Sequence, residues 1–229
     1  MLDLANSFYL NFIKDDRYMY LVTGLINTIM VTLLSVLIGT IIGTIVAMIR
    51  STYDMSGRFK LLDKLCKLYL AVIRGTPVVL QLLITYFVIF ASVNISKFLV
   101  AVIAFGINSG AYVAEIIRSG IMSVDRGQFE AGRSLGFSYR DTMTNFILPQ
   151  AVKNILPALG NEFIAILKET SVAGYIALQD LTKGADIIRS QTYSAFMPLI
   201  MAAVIYLVFV ILLDRLIKLL ERRMRSSER

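Results

Sequence analysis

The chain has no histidine, a single cysteine (Cys66) and charged residues at only 17% of its 229 positions. Without histidine, imidazole acid–base chemistry is excluded, and one cysteine cannot build a zinc site or an internal disulfide. Cys66 is therefore read as an inert structural residue, and no metal site is expected. A soluble domain would carry roughly 25% charged residues. Here hydrophobic residues reach 57% and the mean hydropathy is +0.71, more apolar surface than a fold of this size can hide from water. The chain also lacks a G-x-x-x-x-G-K-[ST] phosphate loop, so it carries no ATPase of its own. Its net charge of +7 is not a nucleic-acid footprint, because the basic residues cluster in connections between apolar runs.

What is present is a succession of apolar runs, each about the 20 residues needed to cross a bilayer. The pattern predicts an all-α polytopic membrane protein, a single transmembrane domain over 1–229. Its five transmembrane helices are expected at about 20–49, 68–91, 98–119, 151–172 and 195–213. The first is cleanest, with no charge from Tyr18 to Ile49, and it is too long and too poor in preceding basic residues for a secretory signal. The fourth is interrupted by Glu162, Lys168 and Glu169. Lys and Arg number sixteen in the segments 50–67, 118–153 and 215–229, against five in the N-terminus and the other two connections. The positive-inside rule then places the N-terminus outside, the C-terminus inside and the 120–150 loop in the cytoplasm.

Two G-x-x-x-G pairs, Gly39/Gly43 and Gly106/Gly110, mark close helix approach, either within the chain or to a second chain. Arg74-Gly75-Thr76-Pro77 predicts a bend or unwound turn in the second span, with Gln81 one turn beyond and facing a cavity. Asn108, Tyr112 and Glu115 fall on one helical stripe that must meet protein or water, with Ser109 beside them. Glu115 either joins that polar face or pairs locally with Arg118. Glu162 lies near the middle of the fourth span, where an unpaired carboxylate costs a few kcal/mol or more. Its partner is either Arg74, a polar group on another helix, or the positive charge of a cargo.

The loop sequence EAGRSLGFSYRDTMTNFILP at 130–149 resembles the EAA loop of bacterial ABC importer permeases. Glu130, Ala131, Gly136, Leu148 and Pro149 match that motif, while Gly132 and Phe146 stand where alanine and isoleucine are usual, which predicts a looser first turn. R-G-T-P with Gln81, the N-S-G-A-Y stretch from Asn108, and L-P-A-L-G-N-E-F from Leu156 resemble the polar amino acid subfamily over about residues 20–220. The resemblance implies the type I importer architecture and the bacterial inner membrane. It also implies two ABC ATPase subunits that bind ATP and Mg, a second permease chain as homodimer or paralogous heterodimer, and an extracytoplasmic binding protein. Glu130, Ala131, Arg133, Gly136 and Arg140 become expected ATPase-coupling residues. Gln81, Asn108, Ser109, Tyr112, Glu115, Asn161 and Glu162 become expected contacts for an amino acid, basic or, alternatively, glutamine. A proton-coupled secondary transporter using Glu115 and Glu162 is one rival class, and a structural or assembly membrane subunit, which would explain the hydrophobicity but not the polar stripe, is the other.

Overall fold

The computed structural model describes residues 4–225, which form helices and their connections without a strand. After a short helix α1 (Leu4–Phe8) come α2 (Tyr18–Ser56), α3 (Lys60–Gly75), α4 (Val78–Ile84) and α5 (Lys97–Met122). They are followed by α6 (Arg126–Ser134), α7 (Tyr139–Thr142), α8 (Leu148–Glu169), α9 (Leu181–Thr192) and α10 (Phe196–Arg225). π-helical turns extend α4 through Ile89 and join α7 to α8 over Met143–Ile147, and a 3-10 segment, Thr170–Ile176, follows α8. Local chemistry sets several ends. Ser96, Asp125, Ser138 and Asp180 accept a backbone N–H at the starts of α5, α6, α7 and α9, and Gly57, at φ 67°, closes α2. Burial pushes the Asp180 carboxyl up to about 6, opposed by N–H groups of Lys183, Gly174, Thr182 and Ala173.

Among the described residues, three helices are long and apolar enough to cross a membrane: Tyr18–Asp54, Lys97–Met122 and Phe196–Met224. The α8 helix covers the expected fourth span but is not among them, because Lys153, Glu162 and Lys168 dilute its apolar face. The expected second span is not one straight helix. Lys60–Gly75 and Val78–Ile89 meet length and apolarity only together, and they are bent by 108° at Thr76-Pro77. Pro77 cannot donate a backbone hydrogen bond and drives Thr76 to an extended ψ of 148°, so the helix stops and restarts.

The centre of the chain is α5. Its apolar window is 67% buried, against 11% for α10 at the periphery. Against it lies α2, and the two G-x-x-x-G pairs face one another across this contact. A Cβ on Gly39 would sit 2.7 Å from Ser109 Oγ, and one on Gly43 would sit 2.6 Å from Val113 Cβ and 2.8 Å from the Ala114 nitrogen. From the other side, Gly106 and Gly110 receive the side chains of Ile38 and Ile42. Both pairs thus serve packing within the chain. In lipid, apolar side chains gain little by leaving the solvent, so close backbone approach and van der Waals contact carry such an interface. Beside α2, α5 also meets α8, and α9 with α10 close over the N-terminal half of α2, around the core of Leu21, Leu181, Ala185 and Ile188.

Overpacking a tight contact costs about 1–3 kcal/mol. Gly43→Val should therefore lower the thermal midpoint of the purified chain by several degrees. Gly75→Ala, where an added Cβ meets nothing within 4 Å, should leave it unchanged within error. Equal midpoints for the two variants would show that the α2–α5 contact is not tight.

Candidate functional site

The expected site residues do not form one cluster. Asn108 and Ser109 are adjacent on α5 and point to different neighbours, so the helix divides the polar groups between two faces.

On the first face, Gln81 repairs the helix break. Its amide nitrogen donates to the carbonyls of Ile73 at 2.7 Å and Thr76 at 3.0 Å, which the bend leaves without helical partners, and to the Thr76 hydroxyl at 2.9 Å. Its oxygen accepts from Asn108 Nδ2 at 3.0 Å. The expectation that Gln81 simply faces a cavity is thereby revised, since its donors are spent on backbone. Asn108 Oδ1 stays buried without a partner. Further along the stripe, the Arg74 guanidinium lies 5.7 Å from the Tyr112 ring centroid.

Glu115 ends this stripe in an ion network. Arg50 Nη1 is 2.5 Å from its Oε1 and Arg74 Nη1 3.8 Å from its Oε2. Arg50 Nε also approaches Asp63 at 3.8 Å, and Lys67 pairs with Asp63 at 2.7 Å. The local alternative of a Glu115–Arg118 pair is not found, because Arg118 reaches Asp54 at 3.1 Å. Arg50 and Asp63 were missed by sequence reasoning. The one sign available was an acidic residue, Asp63, set among the basic residues of 58–67 and buried on the inner face of α3.

On the second face stands Glu162, 8% exposed, accepting from Ser109 Oγ at 3.0 Å. Arg74 is not its partner. Among the described residues no lysine or arginine comes within salt-bridge distance of Glu162. Glu169, two turns further along the same side of α8, has a buried Oε2 without a hydrogen-bond partner. Sequence reasoning noted Glu169 only as an interruption of the span. Asn161 points away from Glu162 and is exposed.

Between α5 and α8, α6 and α7 form a short hairpin. Arg133 Nη1 donates to the Phe137 carbonyl at 2.7 Å, and Phe137 N to the Gly132 carbonyl at 3.2 Å. The turn passes through Gly136 at φ 86°, a conformation L residues rarely adopt. Gly132 does not loosen the first turn. It is buried, and a Cβ there would lie 2.8 Å from Thr142 Cγ2, so the missing side chain lets the two arms close. Glu130, Ala131, Arg133, Gly136 and Arg140 are all exposed on the hairpin, with Leu135 at its tip. Beneath it a cavity of about 290 Å³ is lined by Asp54, Met122, Asp125, Phe129, Tyr139 and Met143 among others.

Residues 39–226 match the family model described as the binding-protein-dependent transport system inner membrane component. The arginine transport system permease protein ArtQ of Bacillus subtilis is 44% identical over 162 residues, 70% of this chain and 74% of that protein. The glutamine transport system permease protein GlnP of Escherichia coli K12 is 39% identical over 160 residues, 69% of this chain and 73% of that one. Among solved structures, an amino acid ABC transporter crystallised with histidines aligns at a TM-score of 0.85 and 45% identity, covering 93% of this chain and 98% of that one. The MetNI methionine ABC transporter, at 17% identity and a TM-score of 0.76 over 92% of this chain and 98% of that one, shares the fold. The helix order, the exposed α6–α7 hairpin and these matches place the chain in the family of binding-protein-dependent transport system inner membrane components, with the type I ABC permease fold.

Proposed function

We propose that this chain is the membrane permease of an ATP-driven importer for a polar amino acid, with a cationic side chain as preferred cargo. The observation that carries the substrate class is Glu162. A buried carboxylate whose one described partner is a neutral hydroxyl leaves its charge uncompensated, and in a low-dielectric interior that favours a cation over a neutral group. The relatives named for arginine and for glutamine transport support the amino acid class, and glutamine is the second reading because its amide can bond the same neutral groups. Ser109 orients Glu162, while Asn108, through its free oxygen, and Tyr112 supply neutral contacts on the other face of α5. Gln81, Glu115 and Asn161 belong to this reading as groups near the path.

The chain works with an extracytoplasmic binding protein, two copies of a separate ATPase that holds ATP and Mg, and a second permease chain, identical or paralogous. Five crossings, through α2, the α3–α4 unit whose α4 limb makes the traverse, α5, α8 and α10, put the N-terminus outside and the α6–α7 hairpin in the cytoplasm of a bacterial cell. Closure of the ATPase pair draws the hairpin inward, and α8 carries the displacement to Glu162. Glu130, Ala131, Arg133 and Arg140 form the contact surface, and Gly136 fixes its turn.

Glu162→Gln in reconstituted vesicles should reduce ATP-dependent uptake of arginine or lysine at least tenfold more than uptake of glutamine, since about 1.4 kcal/mol of lost charge attraction is a factor of ten. Equal losses would make Glu162 a structural residue and move selection to the binding protein. Gly136→Val, which forces a β-branched residue into a left-handed turn, should abolish transport-linked ATP hydrolysis with the chain still inserted. Undiminished coupled hydrolysis would remove the hairpin from the mechanism. Cysteines placed near Asn94 and Lys183 should react with impermeant reagents from outside intact cells, and those near Arg58 or Arg126 should not. Labelling near Arg126 from outside would overturn the five-crossing topology.

A further inference from the structure

The α3 helix presents three distinct sides. One packs inward with Asp63, Cys66 and Leu70 buried against α2 and α5. Directly away from that side, Leu61, Leu65, Leu68 and Val72, spaced by four, three and four residues, are each more than half exposed. Between the two, roughly a quarter turn from either, runs an edge with Lys60 and Lys64 exposed and Lys67 paired to Asp63. A helix of this kind, charged on one edge and leucine-rich on another, lies in the membrane interface and does not cross it.

The depth of α3 follows from its ion pairs. Arg50 is the first charged residue after the uncharged Tyr18–Ile49 stretch of α2, so it marks where α2 leaves the apolar layer. Asp63 and Glu115 both meet Arg50, and Arg74 at the far end of α3 meets Glu115 again. Both ends of α3 are thereby tied to the Arg50–Glu115 pair. The 108° bend then turns α4 away from α3, and Leu82 of α4 packs with Ala101 and Phe105 of α5 toward the opposite end of the bundle.

A second copy of the chain is the other conceivable cover for the leucine stripe. Helix contacts within this chain close on small residues, as Gly39, Gly43, Gly106 and Gly110 do between α2 and α5. The exposed stripe of α3 has only long or branched side chains, which suit acyl chains. The lysine edge beside it is complementary to anionic headgroups.

We propose that α3 is an interfacial anchor whose Lys60–Lys64 edge binds anionic phospholipid of the cytoplasmic leaflet while Leu61, Leu65, Leu68 and Val72 enter the shallow acyl region. From the function proposed above it takes only that residues 50–67 face the cytoplasm. Juxtamembrane lysines each favour an anionic surface by about a fivefold factor in binding.

The chain has no tryptophan, so Leu68→Trp adds one reporter to the assembled complex, read as the difference from the unsubstituted complex. In phosphatidylcholine vesicles with bromine at graded acyl depths, shallow bromine should quench the added fluorescence most. Strongest quenching by deep bromine would show a crossing helix, and absence of quenching would show a protein-covered face; either overturns the proposal. At fixed depth, brominated phosphatidylglycerol should quench at a concentration at least about threefold lower than brominated phosphatidylcholine. Adding Lys60→Gln and Lys64→Gln should remove that preference. A preference unchanged in the double variant, or absent in the parent, overturns the lysine assignment. Quenching needs no transport, so this result and the failure of the importer reading are separately visible.

Discussion

Everything else in this chain is arranged around the contact of α2 with α5. Two pairs of glycines let the helices meet at backbone distance, and Ser35 of α2 donates to the Val102 carbonyl across the seam at 3.2 Å. With the rotation of α5 held this way, Ser109 lies against Gly39 and reaches α8, while Asn108 turns toward α4. Both polar clusters inherit their positions from that seam. The identity of Glu162's partner is decided more by the missing side chain at Gly39 than by anything on α8.

Much of this was legible in the sequence. Uncharged runs announced α2, α5 and α10, and the glycine pairs announced close approach because small residues are how lipid-embedded helices meet. The hairpin was readable from its motif, and Pro77 showed where a helix must break. Partners distant in sequence were not readable. Arg50 and Glu115 are 65 residues apart, and no local rule brings them together, whereas Arg118, three residues from Glu115, was the natural candidate. Nor does proline fix the angle of a break; the 108° turn depends on Gln81 and on the ion pairs that hold α3. Gly132 read as a defect in a motif, yet its meaning lies in Thr142 across the hairpin, a contact visible only once the arms are folded together.

The two polar faces of α5 differ in how well their charges are answered. On the α3 side every acid has a base: Glu115 has two arginines, and Asp63 has Arg50 and Lys67. On the α8 side Glu162 has a hydroxyl, and Glu169 keeps an oxygen without a partner. Asp63 and Arg50 are the largely buried members of that network, and removing either would strand the other's charge. The α3 side is thus cross-linked by charge, and the α8 side is not.

The amide of Gln81 covers carbonyls of Ile73 and Thr76 that the bend has exposed. Any visitor that draws this amide away must supply N–H donors of its own, or leave those oxygens bare in an apolar layer. An ammonium or a guanidinium can make that exchange; a carboxylate has no hydrogen to offer. A group that took the glutamine's place would thus have to bring donors of its own.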